Sequence, residues 1–334
     1  MTSPGSSASP TEPAAPRIDL HMHSTASDGS QAPADVVAQA LASGVRAIAL
    51  TDHDTIAGVA PARAAAEGSA LRVIAGVELS AYQGDEETHL LGLHLTDLDG
   101  MDRELGVFRD ARRDRGMRMV ERLNEIGVKI TFDDVLEIAA GGAIGRPHVA
   151  KALVENGWAR DNRDAFDRYL GAGRPACLEK RRLSLRDAIA MVHRCGGIAV
   201  LAHPGGEGTL TRLTALKAMG LDGVEVLHPS HSTEDRKRLL AVCEHLDLVP
   251  SGGSDSHGAA AGARAIGALP VPGEWLDRQD ARVARRRASN GSADVEARLN
   301  ANADANADAN ADANTDANAA SDDDDTVDAA ASAA

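Results

Sequence analysis

Short apolar runs that stop at histidine or a carboxylate recur along this chain of 334 residues. Arg17–His21, Val45–Leu50, Leu71–Val77, His89–Leu95, Gly197–Leu201, Gly223–Leu227 and Leu248–Pro250 have the length and apolar content of buried strands. Six of these runs carry His, Asp or Glu at an end. Random placement would put some of those residues in helices and at the other strand ends. A fold that gathers the marked ends onto one rim is therefore the tightest constraint the chain offers.

Between the runs, Ala34–Ala42, Gly58–Glu67, Leu185–Cys195, Thr211–Met219 and Glu234–His245 have helical spacing. Strand and helix in alternation predict a parallel α/β sheet or barrel over residues 17–100 and 185–280. The rhythm breaks at residues 101–184, where Met101–Ile126, Thr131–Ala140, Arg146–Asn156 and Asn162–Leu170 read as successive helices of an inserted subdomain. Residues 101–186 hold 18 bases and 14 acids, so this insert is a candidate lid for an anion. The whole chain is at −15, but nine aspartates after Asn300 carry much of that; 41 acids against 35 bases elsewhere leave −6. Residues 1–16 and the ADAN-repeat segment 291–334 have little to bury and are expected to be disordered. An acidic balance argues against a general nucleic-acid coat, and seven aromatics are few for stacking long RNA. With no membrane-length apolar run and no signal-peptide pattern at the start, a cytoplasmic protein is expected. Three scattered cysteines (Cys177, Cys195, Cys243) fit neither disulfide staples nor thiolate zinc sites.

The chemistry-bearing residues sit at the strand ends. In IDLHMHSTASDG, His21 and His23 share one strand face about 7 Å apart, close enough to converge on one metal. Asp28 follows in the next loop, and Asp19 reads as a structural acid of the same parity. The second strand runs into Asp52, His53 and Asp54, and the third stops at Glu78. The fourth starts at His89, with His94 on the other face; IAVLAHP brings His203, and SGGSDSHG brings Asp255 and His257. Alone, each is a common local hydrogen-bonder. Together on one rim they predict a polynuclear metal site of imidazole and carboxylate, suited to Mn, Fe or Zn.

The motifs DLHMHSTASDG, ALTDHDT, GVELS, HLLGLH, LAHPGG and GGSDSHG, in that order over about residues 17–270, closely resemble those of the PHP (polymerase and histidinol phosphatase) superfamily of metal-dependent phosphoesterases. GRPHVA at Gly145–Ala150 resembles its branch of nucleoside 3′,5′-bisphosphate phosphatases and 5′-to-3′ exoribonucleases. The resemblance implies a distorted (β/α)7 barrel with an inserted helical subdomain. It also implies two to three divalent ions. His21, His23, Glu78 and Asp255 would hold the first, Glu78, His89 and His203 the second, and Asp28, His53 and His257 the third.

Dications beside a phosphate ester neutralise its charge and lower the pKa of bound water, so a metal-activated hydroxide is the expected nucleophile. Arg146 and His148 are candidate substrate contacts, against the alternative that GRPH only starts a helix. Lys180, Arg181 and Arg182 are either part of the same anion pocket or a solvated run. His228 and His231 are candidates for phosphate contact or leaving-group protonation. Arg109, Arg112, Arg113, Arg115 and Arg118 alternate with acids and read as a salt-bridged helix surface. The expected activity is hydrolysis of a small phosphorylated nucleotide or short RNA, with no membrane partner. The alternatives are histidinol phosphate hydrolysis and a noncatalytic metal-binding PHP module.

Overall fold

The computed structural model describes residues 17–139 and 144–289. The expectations for residues 1–16 and 291–334 lie outside the described residues. Contacts divide the chain into residues 1–283 and 284–334. In the second unit, residues 284–289 are helical.

In the first unit the strands are β1 (Arg17–Asp19), β2 (Ala47–Leu50), β3 (Arg72–Gln83), β4 (Glu86–Leu93), β5 (Leu183–Ser184), β6 (Ile198–Leu201), β7 (Gly223–Leu227), β8 (Val249–Gly252) and β9 (Val271–Pro272). They form one sheet in the order β8-β7-β6-β4-β3-β2-β1-β9, with β5 against β3. The sheet curls until its ends meet. Past β1, Leu20 N–H donates to Gly252 O at 3.1 Å and Asp255 N–H to His21 O at 2.8 Å, closing a barrel between the continuations of β1 and β8. The seam needs glycine at 253, where a Cβ would fall 2.4 Å from the His21 nitrogen.

Helices α1 (Pro33–Ser43), α2 (Val59–Ala65), α7 (Leu185–Arg194), α8 (Leu210–Ala218) and α9 (Thr233–His245) alternate with the strands. Local chemistry sets their ends. Pro33 starts α1 where its missing N–H costs nothing, and Gly44 ends it at φ +72°; Ser232 and Asp235 cap α9 reciprocally. Strands AIAL and IAVL are buried on both faces, as a barrel lined inside by side chains and covered outside by helices demands. The core includes Ile18, Leu79, Leu90, Leu91 and Leu93 at 0% exposure, each contributing about 1.5–3 kcal/mol through burial.

The expected parallel sheet needs one correction, made by two strands. β9 runs antiparallel to β1. β4 runs antiparallel to both β3 and β6, because Gly84-Asp85 makes a two-residue hairpin with Gly84 at φ +64°. The start of β4 therefore lies at the same rim as the ends of β2 and β6. A second correction follows: Glu78 does not end its strand, since β3 continues to Gln83 as the hairpin arm.

Helices α3 (Leu98–Glu125), α4 (Phe132–Ala139), α5 (Arg146–Glu155) and α6 (Asn162–Ala165), with a π-helical turn at Phe166–Leu170, occupy the stretch between β4 and β5. They bury a separate apolar cluster that includes Met119, Leu123, Val135, Val149, Leu153 and Leu170. Among the described residues no helix is long and apolar enough to cross a membrane.

Candidate metal centre

The nine residues that the resemblance implies as metal ligands meet at one rim of the barrel. Glu78, pointing inward from β3 and 1% exposed, is the hub. Its Oε2 lies 3.1 Å from His23 Nε2, 3.2 Å from His21 Nε2 and 3.4 Å from His53 Nε2. Its Oε1 lies 2.9 Å from His89 Nδ1 and 3.0 Å from His203 Nε2. Asp255 Oδ1 closes the first group at 3.4 Å from His21 and 3.2 Å from His23. Asp28, on the exposed loop after β1, stands 3.4 Å from His257 and 3.9 Å from His53. Three sets of ligand atoms each converge within 4.8 Å: His21, His23, Glu78 and Asp255; His53, Glu78 and His89; and His23, Asp28, His53 and His257. The backbone bends to present them, with His203 at φ 28° and Asp255 at φ 50° in the left-handed region that non-glycine residues rarely adopt.

Glu225 was not singled out in the sequence. From the buried centre of β7 its Oε1 accepts from His21 Nδ1–H at 3.0 Å and its Oε2 from the His203 backbone N–H at 2.8 Å. The first bond has a consequence for charge. With its proton on Nδ1, a neutral His21 aims the Nε2 lone pair at oxygens of Glu78 and Asp255 and at His23 Nε2, 3.2 Å away. Lone pairs facing lone pairs need a cation between them, so the donor set fits divalent metal. Among the described residues the buried His23 Nδ1 has no hydrogen-bond partner, and it lies 3.7 Å from Asp28, inside the third group. Burial opposes ionisation at Glu78, yet the same rings in their protonated form, His21, His203 and His23, hold its carboxyl far below the usual carboxylate range; a cation among them takes the place of those protons. Burial likewise opposes it at Asp255, and His228, His23, His21 and Arg264 hold that carboxyl down.

A cavity of about 600 Å³ adjoins the cluster at His53. Arg112, Arg115, Arg146, Lys180 and Arg182 border it, with Tyr82 and Phe166 as its aromatic walls. Arg112 is tied to Asp54 and Arg182 to Asp85, 2.6 Å away. Neither Arg115 nor Arg146 forms an ion pair among the described residues, and Arg146 lies over Phe166, 5.7 Å from its centroid. Burial and then the charges of Arg146 and Arg112 push the Arg115 guanidinium down. The expected salt-bridged surface therefore fails for Arg115: its place on α3 turns it into the cavity, while Arg109 does pair with Asp102.

Three other histidines separate. His148 borders no part of this cavity; its Nδ1 accepts from Gly145 N–H at 3.1 Å at the start of α5. His231 uses both ring nitrogens on backbone, donating from Nδ1 to Val226 O and accepting from Gly205 N–H. His228 instead reaches the cluster, 3.3 Å from Asp255 Oδ2. Asp19 is structural: Ser254 and Gly267 N–H groups donate to it at 2.9 Å each.

This rim of shared carboxylates has close relatives. The family model described as PHP domain matches residues 19–178. A 3′,5′-nucleoside bisphosphate phosphatase of Chromobacterium violaceum is 35% identical over 257 residues, covering 75% of this chain and 90% of that protein. The 5′-3′ exoribonuclease Rnm of Escherichia coli is 36% identical over 247 residues, 72% of this chain and 84% of that protein. A solved structure from Bifidobacterium adolescentis, provisionally assigned as a metal-dependent phosphoesterase, superposes with a TM-score of 0.62 at 35% identity, covering 81% of this chain and 98% of that one. The chain belongs to the PHP family.

Proposed function

We propose that this chain is a cytoplasmic phosphoesterase with two to three divalent ions, of Mn, Fe or Zn, that releases the 3′-phosphate of nucleoside 3′,5′-bisphosphates and cuts 5′-phosphorylated short RNA. One observation carries the reading: a carboxylate shared by five imidazoles lies beside a cavity in which two arginines lack a carboxylate partner among the described residues. His21, His23, Glu78 and Asp255 would hold one ion, Glu78, His89 and His203 a second, and Asp28, His53 and His257 a third. Such ions neutralise phosphoryl oxygens and make water acidic enough to attack near neutral pH.

The chain's own groups do the rest. Glu225 fixes the His21 tautomer, so its Nε2 lone pair stays aimed at the cluster. Arg115 and Arg146 grip the substrate's 5′-phosphate, which sets the distance to the ester over the cluster and rejects substrates with one phosphate. His148 holds the start of α5 and so positions Arg146. His231 positions the loop after His203 through Gly205. The helices α3 to α6 act as the cap that brings these arginines to the barrel rim.

The test is a substrate panel after metal reconstitution: 3′,5′-adenosine bisphosphate, a 5′-phosphorylated RNA trimer and histidinol phosphate, read by phosphate and nucleotide release. Turnover of either nucleotide substrate above histidinol phosphate supports the reading. Turnover of histidinol phosphate alone overturns it.

A further inference from the structure

The cluster opens on a second cavity, of about 400 Å³, whose wall includes His89 and His203. Its charge is opposite to that of the first. Glu86, Glu87 and Glu207 border it against one base, Arg212, and all three are exposed; Glu87 is already engaged, accepting from the Tyr82 hydroxyl at 2.6 Å and lying 3.6 Å from Lys180. Arg212 is half-buried and already engaged, donating to Thr88 Oγ1 at 2.9 Å with Glu207 at 3.9 Å. The β3–β4 hairpin separates the two spaces: Ser80 and Tyr82 border the basic cavity, and their pairing partners His89 and Glu87 border the acidic one.

Resting on the function proposed above, the division assigns a use to each side. In either reaction water oxygen joins phosphorus, the bond from phosphorus to the 3′ oxygen of the nucleotide in the basic cavity breaks, and that oxygen takes a proton. A monoester leaves phosphorus with no further substituent. A diester keeps one, the downstream nucleoside, and it needs room on the side away from the leaving oxygen. We propose that the acidic cavity receives this downstream nucleoside and that Glu86 and Glu207 penalise the next phosphate beyond it. The site thereby accepts a single downstream residue and disfavours longer chains. Exposed carboxylates act through solvent, so the penalty is modest, about two- to fivefold in kcat/KM at low salt.

The metal-loaded protein is assayed with 3′,5′-adenosine bisphosphate, pApA and pApApA. The expected order is pApA over pApApA by about two- to fivefold, with the ratio falling toward one at high salt and in the double variant Glu86→Gln/Glu207→Gln. Glu207→Trp fills the cavity and should lower turnover of pApA relative to the bisphosphate by about tenfold. The inference is overturned if pApApA is the better diester, if the charge variant leaves the length ratio unchanged, or if Glu207→Trp leaves the diester-to-monoester ratio unchanged. Loss of the trimer alone in Arg212→Ala also overturns it, since that would make this cavity a phosphate clamp. Failure of the underlying function looks different: no substrate in the panel is turned over by the wild type.

Discussion

The two ends of the barrel use the same residue types to opposite effect. At the end where the parallel strands begin, His193 and His94 have partners of their own. His193 pairs with Asp222 at 2.9 Å, and His94 meets Gln279 at 3.1 Å and Asp280 at 3.4 Å. At the other end five imidazoles lie within 3.4 Å of the single carboxylate of Glu78. One carboxylate cannot satisfy five rings through hydrogen bonds alone. A metal centre is thus marked by an excess of ligand atoms aimed at one space, and neither histidine content nor burial distinguishes it.

Substitutions at each end test this contrast. The largest effect is expected for Asp255→Ala, which removes a carboxylate common to His21 and His23: turnover should vanish together with bound metal, measured by elemental analysis on the purified variant. Full metal content and a wild-type rate would take Asp255 out of the site. Glu225→Gln keeps the shape of β7 but weakens the hold on His21, and should cost about 10–100-fold in metal affinity or activity. An unchanged metal titration would make Glu225 only a buried structural acid. Arg115→Ala should raise KM for a bisphosphate by about tenfold or more, the worth of one charge-assisted hydrogen bond, and leave metal content at the wild-type level. An unaltered KM would mean that the second phosphate lies elsewhere. The smallest functional effect belongs to the other end. His193→Ala should cost about 1–3 kcal/mol of stability, seen as a melting point lower by a few °C, with the rate per folded molecule preserved. A rate loss as large as that of Glu225→Gln would erase the contrast between the two ends.

Much of the cluster was legible because its members sit where apolar runs stop, and a barrel brings such stops together. His89 was legible for an incomplete reason: it reads as the start of its strand, whereas β4 begins at Glu86, and only the antiparallel hairpin at Gly84-Asp85 brings that part of the strand to the shared rim. The Gly-Asp pair between two alternating runs was the signal for the reversal. Glu225 stayed hidden because GVEVL reads as an ordinary buried strand; the cost of burying an unpaired carboxylate was the available warning. Arg115 was concealed by acids at helical spacing on α3, which suggest a solvated surface whatever that face packs against. The pairing of the two cavities on either side of the hairpin is a tertiary relation with no local pattern to betray it.

The most direct test of the central claim is metal stoichiometry by titration with Mn(II) or Zn(II) and elemental analysis, comparing wild type with Glu78→Ala. Uptake of at least two equivalents by the wild type, with most of it lost when that one carboxylate is removed from a still folded barrel, is the predicted result. Equal uptake by both proteins would mean that the imidazoles around Glu78 do not share a metal centre.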